Sequence, residues 1–229
     1  MPFTILRVLF VLSLAATATW AQSPVLVVDP TGGPGSDFTD LQAAIDAAPE
    51  GAVLLLRDGA HGGFSIDGKG LHLVGDRDAV VTGTRAFVRN LPDEATVLLQ
   101  GLDLLDEPGD FSQSMLRMEA NAGPVVLDRM LLDASGLPPT FVSELVRMED
   151  CDAVIAARST FLGSIGSQGF VGPGPFYPND ALQAVDSHLA LFECLAVGGS
   201  GADGFWTGPD TFLPGQPGRA GAALQGGSL

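Results

Sequence analysis

Short apolar strands recur along most of the chain, and turns rich in Gly, Asp and Pro separate them. The segment Leu116–Glu119 returns as Val146–Glu149, and more loosely as Leu182–Val185 and Leu224–Gly227. In the first two copies apolar and charged residues alternate, which is the period of a strand with one buried face. A repeat of roughly 28 to 40 residues built from such strands predicts a solenoid.

The repeats also predict which residues stack on one another inside the solenoid. A second apolar run follows each of the first three copies, at Pro124–Leu127, Ala153–Ala156 and His188–Leu191. Equivalent residues of successive coils form ladders in such folds. The expected inward ladders are Leu116/Val146/Leu182/Leu224 and Met118/Met148/Ala184/Gly226.

One segment, residues 38–48, has the pattern of a short helix instead. Thr39 is the expected N-cap, and Gln42 three residues later completes a capping box. Pro49 and Gly51 end the helix. Because an open solenoid end exposes core and strand edges, this helix is expected to cover the first coil. Its apolar face comprises Leu41, Ala44, Ile45 and Ala48.

The N-terminus has the pattern of a secretory signal peptide. One positive residue, Arg7, precedes the apolar run Val8–Ala16, and small residues continue to Ala21. We therefore predict cleavage after residue 21, leaving residues 22–229 as one domain that is secreted or held at the cell surface. No later segment has the length and apolarity of a membrane span, so we expect no membrane insertion after cleavage.

The end of the sequence resembles the beginning of another coil. Residues 222–229 are similar to residues 181–188, and no capping pattern follows them. An uncovered solenoid end favours aggregation. We therefore expect the domain to be incomplete at this end, with further coils or a partner covering it.

The charge of the chain limits its partners. The formal net charge is −16, and removal of the signal peptide makes it one unit more negative. Such a surface repels nucleic acid and anionic membranes. It also repels acidic polysaccharides unless a bound cation bridges the like charges, and the acidity by itself indicates no function.

Four segments of the first part of the domain share a pattern with a known fold, and they are Val25–Asp29, Asp37–Gly51, Val53–Gly59 and Leu71–Asp76. Together they resemble the beginning of a pectin-lyase-like right-handed parallel β-helix. Pectin methylesterases and many exported bacterial β-helix proteins begin in a similar way. The resemblance implies an all-β fold, a three-sheet right-handed parallel β-helix with a short N-terminal capping helix. Where the methylesterases have Gly-x-Tyr-x-Glu this chain has Gly59–Gly63, which argues against esterase chemistry.

The same resemblance suggests where lyase or hydrolase chemistry would lie. Lyases of this fold hold Ca²⁺ with carboxylates and use an Arg or Lys base, so Arg129 and Arg158, one coil apart, become candidate bases. Asp128 and Asp133 are the neighbouring candidate acids. Calcium takes six to eight oxygen ligands, yet no dense calcium-binding loop occurs, so no cofactor is predicted and Ca²⁺ stays the alternative. The candidate metal ligands are Asp103, Asp106, Asp150 and Asp152.

The outward-facing residues of two neighbouring strands are expected to form a charged square, with Arg117 beside Arg147 and Glu119 beside Glu149. Neighbouring strands lie about 4.8 Å apart, so these four side chains come within reach of one another. One interpretation is a surface that binds sugars or cations. The other is a solvated ladder of ion pairs, each contributing about 0.2 to 1 kcal/mol.

Aromatic residues concentrate in two insertions, residues 166–180 and 198–221. Both follow the equivalent strand of adjacent coils, so they are expected to project side by side. Such rings either provide a stacking surface for sugars or fold back onto the flank of the solenoid. The candidate substrate-binding residues are Phe170, Phe176, Tyr177, Phe205, Trp206 and Phe212.

The two cysteines are expected to be free thiols. Cys151 and Cys194 belong to different corners of different coils, beyond the Cα separation of a disulfide. Cys194 is expected to be buried as a small apolar residue.

These patterns favour a non-catalytic, carbohydrate-facing β-helix protein, a binding or structural module. Two alternatives stay open: a polysaccharide-active lyase or hydrolase of the pectin-lyase-like fold, and a structural segment of a larger cell-surface protein.

Overall fold

The computed structural model describes residues 23–82, 85–105, 114–134, 144–163 and 180–198, and the backbone of three later strands. The predicted signal peptide lies outside the described residues. The elements are β1 (Val25–Val28), α1 (Leu41–Ala47), β2 (Val53–Leu56), β3 (Gly59–Gly62), β4 (Ser65–Asp67), β5 (His72–Gly75), β6 (Ala79–Thr82), β7 (Ala86–Arg89), β8 (Val97–Gln100), β9 (Asp103–Leu105), β10 (Leu116–Asn121), β11 (Val125–Asp128), β12 (Leu131–Asp133), β13 (Glu144–Cys151), β14 (Val154–Ala157), β15 (Thr160–Leu162), β16 (Asp180–Val185), β17 (Leu189–Phe192), β18 (Leu195–Val197), β19 (Phe205–Gly208), β20 (Thr211–Leu213) and β21 (Ala222–Gln225).

Three parallel sheets run the length of the described chain. Sheet 1 has the order β1-β2-β5-β8-β11-β14-β17, sheet 2 the order β3-β6-β9-β12-β15-β18, and sheet 3 the order β4-β7-β10-β13-β16-β21. Each coil visits the three sheets in turn, and one apolar core lies between them. The described part is thus all-β apart from one helix, with the architecture of a parallel β-helix or solenoid.

The register confirms most of the predicted ladders. Leu116 pairs with Val146 and Met118 with Met148, and β16 continues both rows with Leu182 and Ala184. The prediction for the next coil was wrong by two residues: Leu182 pairs with Ala222, and Ala184 with Leu224. A shift of two keeps the same side chains inside, so alternation alone does not distinguish the two registers.

The capping helix begins one residue later than predicted. Asp40, and not Thr39, is the N-cap, and its carboxylate accepts a hydrogen bond from the Ala43 amide at 2.8 Å. Asp is as good an N-cap as Ser or Thr. Here Asp40 lies three residues before Ala43, whose backbone amide has no partner within the helix. Gln42 makes no capping box; its side-chain amide bonds the backbone of Ser65 at 2.7 and 3.1 Å and ties the helix to β4.

The predicted role of the helix is confirmed by its packing. Its apolar face is buried against the first coils. Lys69 closes the other end, because its ammonium donates to the carbonyl oxygens of Ile45 at 2.5 Å and Ala48 at 2.9 Å. A cation at the C-terminal carbonyls also complements the helix dipole. Within the described residues, no helix has the length and apolarity needed to cross a membrane.

A ladder of polar side chains is buried at the corner between sheets 3 and 1. Asn121, Cys151 and Ser187 occupy this corner in successive coils, each at most 1% exposed.

Cys151 and Cys194 are both free thiols, as predicted. Cys194, however, is partly exposed and Cys151 is the buried one, because Cys194 lies in the last described coil of sheets 1 and 2, beside the exposed Phe192 and Leu195.

The connections from sheet 2 to sheet 3 lengthen along the solenoid. Both aromatic insertions belong to this series, and each leaves from one of the paired strands β15 and β18 and returns to one of the paired strands β16 and β21. The strands that flank the two insertions are thus neighbours, whereas the insertions themselves lie outside the described residues apart from the backbone of β19 and β20. The successive connections are residues 63–64, 83–85, 106–115, 134–143, 163–179 and 198–221.

Candidate functional site

The outer surface of sheet 3 carries the predicted charged square. Arg117 stacks on Arg147, and Glu119 stacks on Glu149. The Nε atom of Arg117 lies 2.5 Å from a carboxylate oxygen of Glu119, and its Nη2 atom lies 3.0 Å from Glu149. Arg147 bonds Glu149 through Nε at 2.7 Å and through Nη2. Every member therefore pairs with a member of its own or the adjacent coil.

Two further residues extend this square, and we call the whole set the charged face. Arg147 Nη1 lies 3.2 Å from Glu144 and donates to the side-chain oxygen of Gln183 at 2.6 Å. Glu144 is buried and also accepts a hydrogen bond from Ser114 at 3.0 Å. Glu144 was not predicted from the sequence. It is the first residue of β13, directly after a connection, where the alternation of apolar and polar residues no longer indicates which side chains are buried.

The electrostatics of the charged face stabilise the ionised forms of Arg147 and Glu149. The hydrogen bond from Arg147 lowers the pKa of Glu149; burial opposes this effect, and the charges of Arg147 and Arg117 add to it. The pKa of Arg147 is raised, first by the hydrogen bond to Glu149, against an opposing effect of burial. Arg147 and Glu149 are therefore a charged donor and a charged acceptor at neutral pH.

Replacement of Glu149 by glutamine is expected to lower stability in a pH-dependent way. The folded-state pKa of Glu149 is lowered, so its contribution is present above the unfolded value near 4.3 and is lost as pH falls through the folded value. With solvent screening, we expect about 1 kcal/mol at pH 7. Urea unfolding from pH 7 to pH 3 measures this, with Glu193→Gln, an exposed glutamate, as control. A pH-independent difference would contradict the assignment.

The second polar cluster lies at the corner between sheets 1 and 2. Asp128 ends β11 and is buried, with 7% of its side chain exposed. One carboxylate oxygen accepts from Arg158 Nε at 2.9 Å and Nη2 at 2.6 Å, and the other accepts from Gln100 at 2.7 Å. Arg129 Nε lies 3.4 Å from that second oxygen. Three of the four candidate catalytic residues thus come together.

Backbone geometry explains why the two arginines stack at this corner. Arg129 and Arg158 each follow a strand of sheet 1 and have left-handed φ angles of 53° and 51°. Gly101 and Glu193 take the same conformation in the coils before and after. The fourth candidate, Asp133, ends β12 in sheet 2, in register with Leu162, and not at this corner.

The chemistry of this cluster favours ion pairing over proton transfer. Burial alone would raise the pKa of Asp128, but hydrogen bonds from Gln100 and Arg158 and the charges of Arg158 and Arg129 together lower it. A carboxylate of this kind is ionised at neutral pH and is a poor general acid. Arg158 donates two hydrogen bonds to one carboxylate oxygen of Asp128, as expected of an ion pair.

The candidate metal ligands do not form one site. Asp103 lies in sheet 2, where burial and then the charge of Asp78 raise its pKa. Asp150 and Asp152 lie at the far corner, between sheets 3 and 1, and Asp106 lies outside the described residues. Among the residues that the structure describes, no group of three or more His, Cys, Asp or Glu side chains is placed to hold a metal ion.

The aromatic candidates are described in part. Phe170, Phe176 and Tyr177 lie outside the described residues. For the other three the backbone is described but the side chains lie outside: β19 and β20 form an antiparallel hairpin between β18 and β21. In that hairpin Trp206 is the register partner of Phe212. Directly opposed positions of an antiparallel pair belong to the same face of the hairpin.

Comparison with known proteins identifies no relative whose function could be transferred to this chain. No family model matches the chain, and no curated protein or solved structure is significantly similar to it. The features that bear on function are the charged face, the Asp128 cluster and the aromatic hairpin.

Proposed function

We propose that the mature chain is a secreted or cell-surface protein that binds carbohydrate without cleaving it. In this proposal the fold is a right-handed, pectin-lyase-like parallel β-helix, since parallel crossovers are right-handed in about 98% of cases. The binding surface combines the aromatic hairpin β19–β20 with the charged face of sheet 3. The observation that carries the proposal is the register pairing of Trp206 with Phe212.

Two opposed aromatic residues provide a suitable base for a sugar ring. Aromatic rings offer a large apolar surface at low cost in side-chain entropy, and the C–H faces of a sugar ring are apolar. The hairpin joins β18 to β21, and β21 belongs to sheet 3. The aromatic pair therefore lies within the connection that leads into the sheet that carries the charged face.

The charged face supplies the polar half of such a site. Sugar hydroxyl groups both donate and accept hydrogen bonds, and this face offers guanidinium donors beside carboxylate and amide acceptors. Their mutual ion pairs hold Arg117, Arg147 and Glu149 in place. A preorganised surface loses less entropy when it binds a ligand. Paired charges also lessen repulsion of the ligand by an acidic protein.

Loss of the aromatic pair is expected to weaken carbohydrate binding about tenfold or more, since each stacked ring contributes about 0.5 to 1.5 kcal/mol. The sequence contains two tryptophans, Trp20 and Trp206, and the predicted signal cleavage removes the first. Intrinsic fluorescence of residues 22–229 therefore reports on Trp206 alone. Titration with soluble neutral and acidic polysaccharides should shift this emission for at least one polymer.

The variants separate stacking from general effects. Phe212→Ala should weaken the fluorescence response, and Trp206→Ala with Phe212→Ala should abolish retention on the same polymer when it is immobilised. Phe192→Ala removes an exposed aromatic ring from sheet 1 and should leave binding unchanged. Equal retention of the double variant and the wild type would exclude the hairpin as the binding surface.

The Asp128 cluster supports a second candidate function, a polysaccharide lyase or hydrolase. It brings a buried carboxylate between two arginines of neighbouring coils. The test is the formation of new chain ends on the same polysaccharides, with and without Ca²⁺. New ends that disappear in Arg158→Gln, while the variant stays folded, would establish an enzyme. Binding without new ends would favour the first proposal.

A further inference from the structure

The outer surface of sheet 1 is unusually apolar for a solvent-facing sheet. Two rows of side chains point outward across its seven strands, and together they form what we call the apolar face. Only three of its residues, His72, Gln100 and Asp128, are polar. The first row is Val25, Val53, His72, Leu98, Val126, Ile155 and Ala190, and the second is Val27, Leu55, Val74, Gln100, Asp128, Ala157 and Phe192.

The sequence of these strands is typical of a sheet that is covered on both sides. Parallel strands that are buried on both faces have continuous apolar sequences, whereas strands with one solvent-exposed face alternate between apolar and polar residues. In sheet 1, β2 reads VLLL, β14 reads VIAA and β17 reads LALF. In sheet 3, by contrast, β10 begins LRME, with apolar and charged residues in alternation. The inner rows of the middle strands are largely buried, whereas Val25 and Phe192, in the outer rows of the two end strands, are each 59% exposed.

The apolar face also carries no unsatisfied charge. Its charged residue is Asp128, and both carboxylate oxygens of Asp128 are occupied by Gln100, Arg158 and Arg129. The whole chain has a net charge of −16, so two copies repel one another through most of their surfaces. The apolar face carries a single, paired charge, so this repulsion is weak across it, and it offers no charge pattern for an oppositely charged partner.

We propose that a second copy of this chain packs against the apolar face, sheet 1 against sheet 1. The arrangement is two-fold symmetric, since an apolar, neutral face is complementary to itself. Sheets that pack face to face lie about 10 Å apart with interdigitated side chains. The outward Val, Leu and Ile residues of the two copies would then form a second, intermolecular core.

The size of the face predicts a weak, reversible dimer. Seven strands about 4.8 Å apart, each contributing four residues of about 3.3 Å, cover roughly 30 Å by 13 Å. Two such faces bury roughly 800 Å² in projection, which is below the size of standard specific interfaces and in the range of weak, transient ones. We therefore expect a dissociation constant on the order of micromolar, and not an obligate dimer.

Sedimentation velocity on residues 22–229, from about 1 to 200 μM, tests the proposal because this range spans a micromolar dissociation constant. The wild type should pass from monomer to dimer across it. Leu98→Glu places a charge at the centre of the face and should stay monomeric throughout. The matched control, Leu131→Glu, makes the same change at a half-buried outward leucine of sheet 2 and should dimerise like the wild type.

The remaining outcomes each decide against the proposal. A wild type that is monomeric at every concentration overturns it, and so does a Leu98→Glu variant that still dimerises. Loss of the dimer in Leu131→Glu as well would remove the assignment to sheet 1. Assemblies larger than a dimer would indicate end-to-end pairing through the strand edges instead. If circular dichroism shows Leu98→Glu unfolded, the uncharged Leu98→Gln should weaken association at least tenfold.

Discussion

Replacement of Asn121 by alanine is expected to lower the free energy of unfolding by about 2 to 4 kcal/mol. The Asn121 side chain is fully buried; its Nδ2 donates to the carbonyl oxygen of Val88 at 2.9 Å, and its Oδ1 accepts from the amide of Leu91 at 3.1 Å. Val88 and Leu91 are themselves buried. Truncation removes one hydrogen bond from the Val88 carbonyl and leaves the buried Leu91 amide without this acceptor, which is the costly case for a hydrogen bond.

Urea unfolding followed by far-ultraviolet circular dichroism measures this effect. The matched control is Asn90→Ala, one coil earlier, where the side chain bonds Asp67 at an exposed site. Asn90 has a left-handed φ of 55°, but Ala120 already takes the equivalent conformation in the next coil. We expect the control to cost about 1 kcal/mol. Equal costs for the two variants would show that Asn121 does not secure this corner.

Gly123→Ala is expected to cost about 3 kcal/mol, for a steric reason. A Cβ atom at Gly123 would lie far inside van der Waals contact with the carbonyl oxygens of Ala95 and Pro92. These are backbone atoms, which cannot rotate away as a side chain can. The amide of Gly123 also donates to the carbonyl oxygen of Leu91 at 3.2 Å, which holds the two segments together.

The same denaturation experiment tests the glycine. Gly62→Ala is the control, since a Cβ there has nothing within 4 Å, and its stability should stay within about 0.5 kcal/mol of the wild type. If Gly123→Ala unfolded at the same urea concentration as Gly62→Ala, the close approach of residues 92–95 to the corner would be wrong.

The fold could be predicted from the sequence because a solenoid repeats the same pattern of apolar strands and polar turns in each coil. The stacking of Leu116 on Val146 follows directly from the repeat, and the buried face of the helix follows from its period. The register of β21 could not be predicted, since a shift of two residues leaves the same side chains on the buried face. The N-cap was missed because Thr39 and Asp40 are both good caps, and only the tertiary path of the chain selects one.

The polar sites were predictable only where stacking alone determines them. Arg129 and Arg158 were expected one above the other, and the stacked strands β11 and β14 bring them to Asp128. The burial of Glu144 depends on the path of the preceding connection, which leaves no periodic signal. The apolar outer face of sheet 1 was visible in runs such as residues 53–56, but inner and outer rows are indistinguishable until the register is known.

The lengthening of the connections between sheets 2 and 3 has a mechanical consequence. The strands of each coil are bonded only to those of the coils before and after it, so a pulling force is expected to detach coils one at a time. Each detached residue adds about 3.4 Å of contour. Later coils carry longer connections, so each release would extend the molecule further than a release from an earlier coil. A force–extension trace would therefore identify each coil by the length of its step.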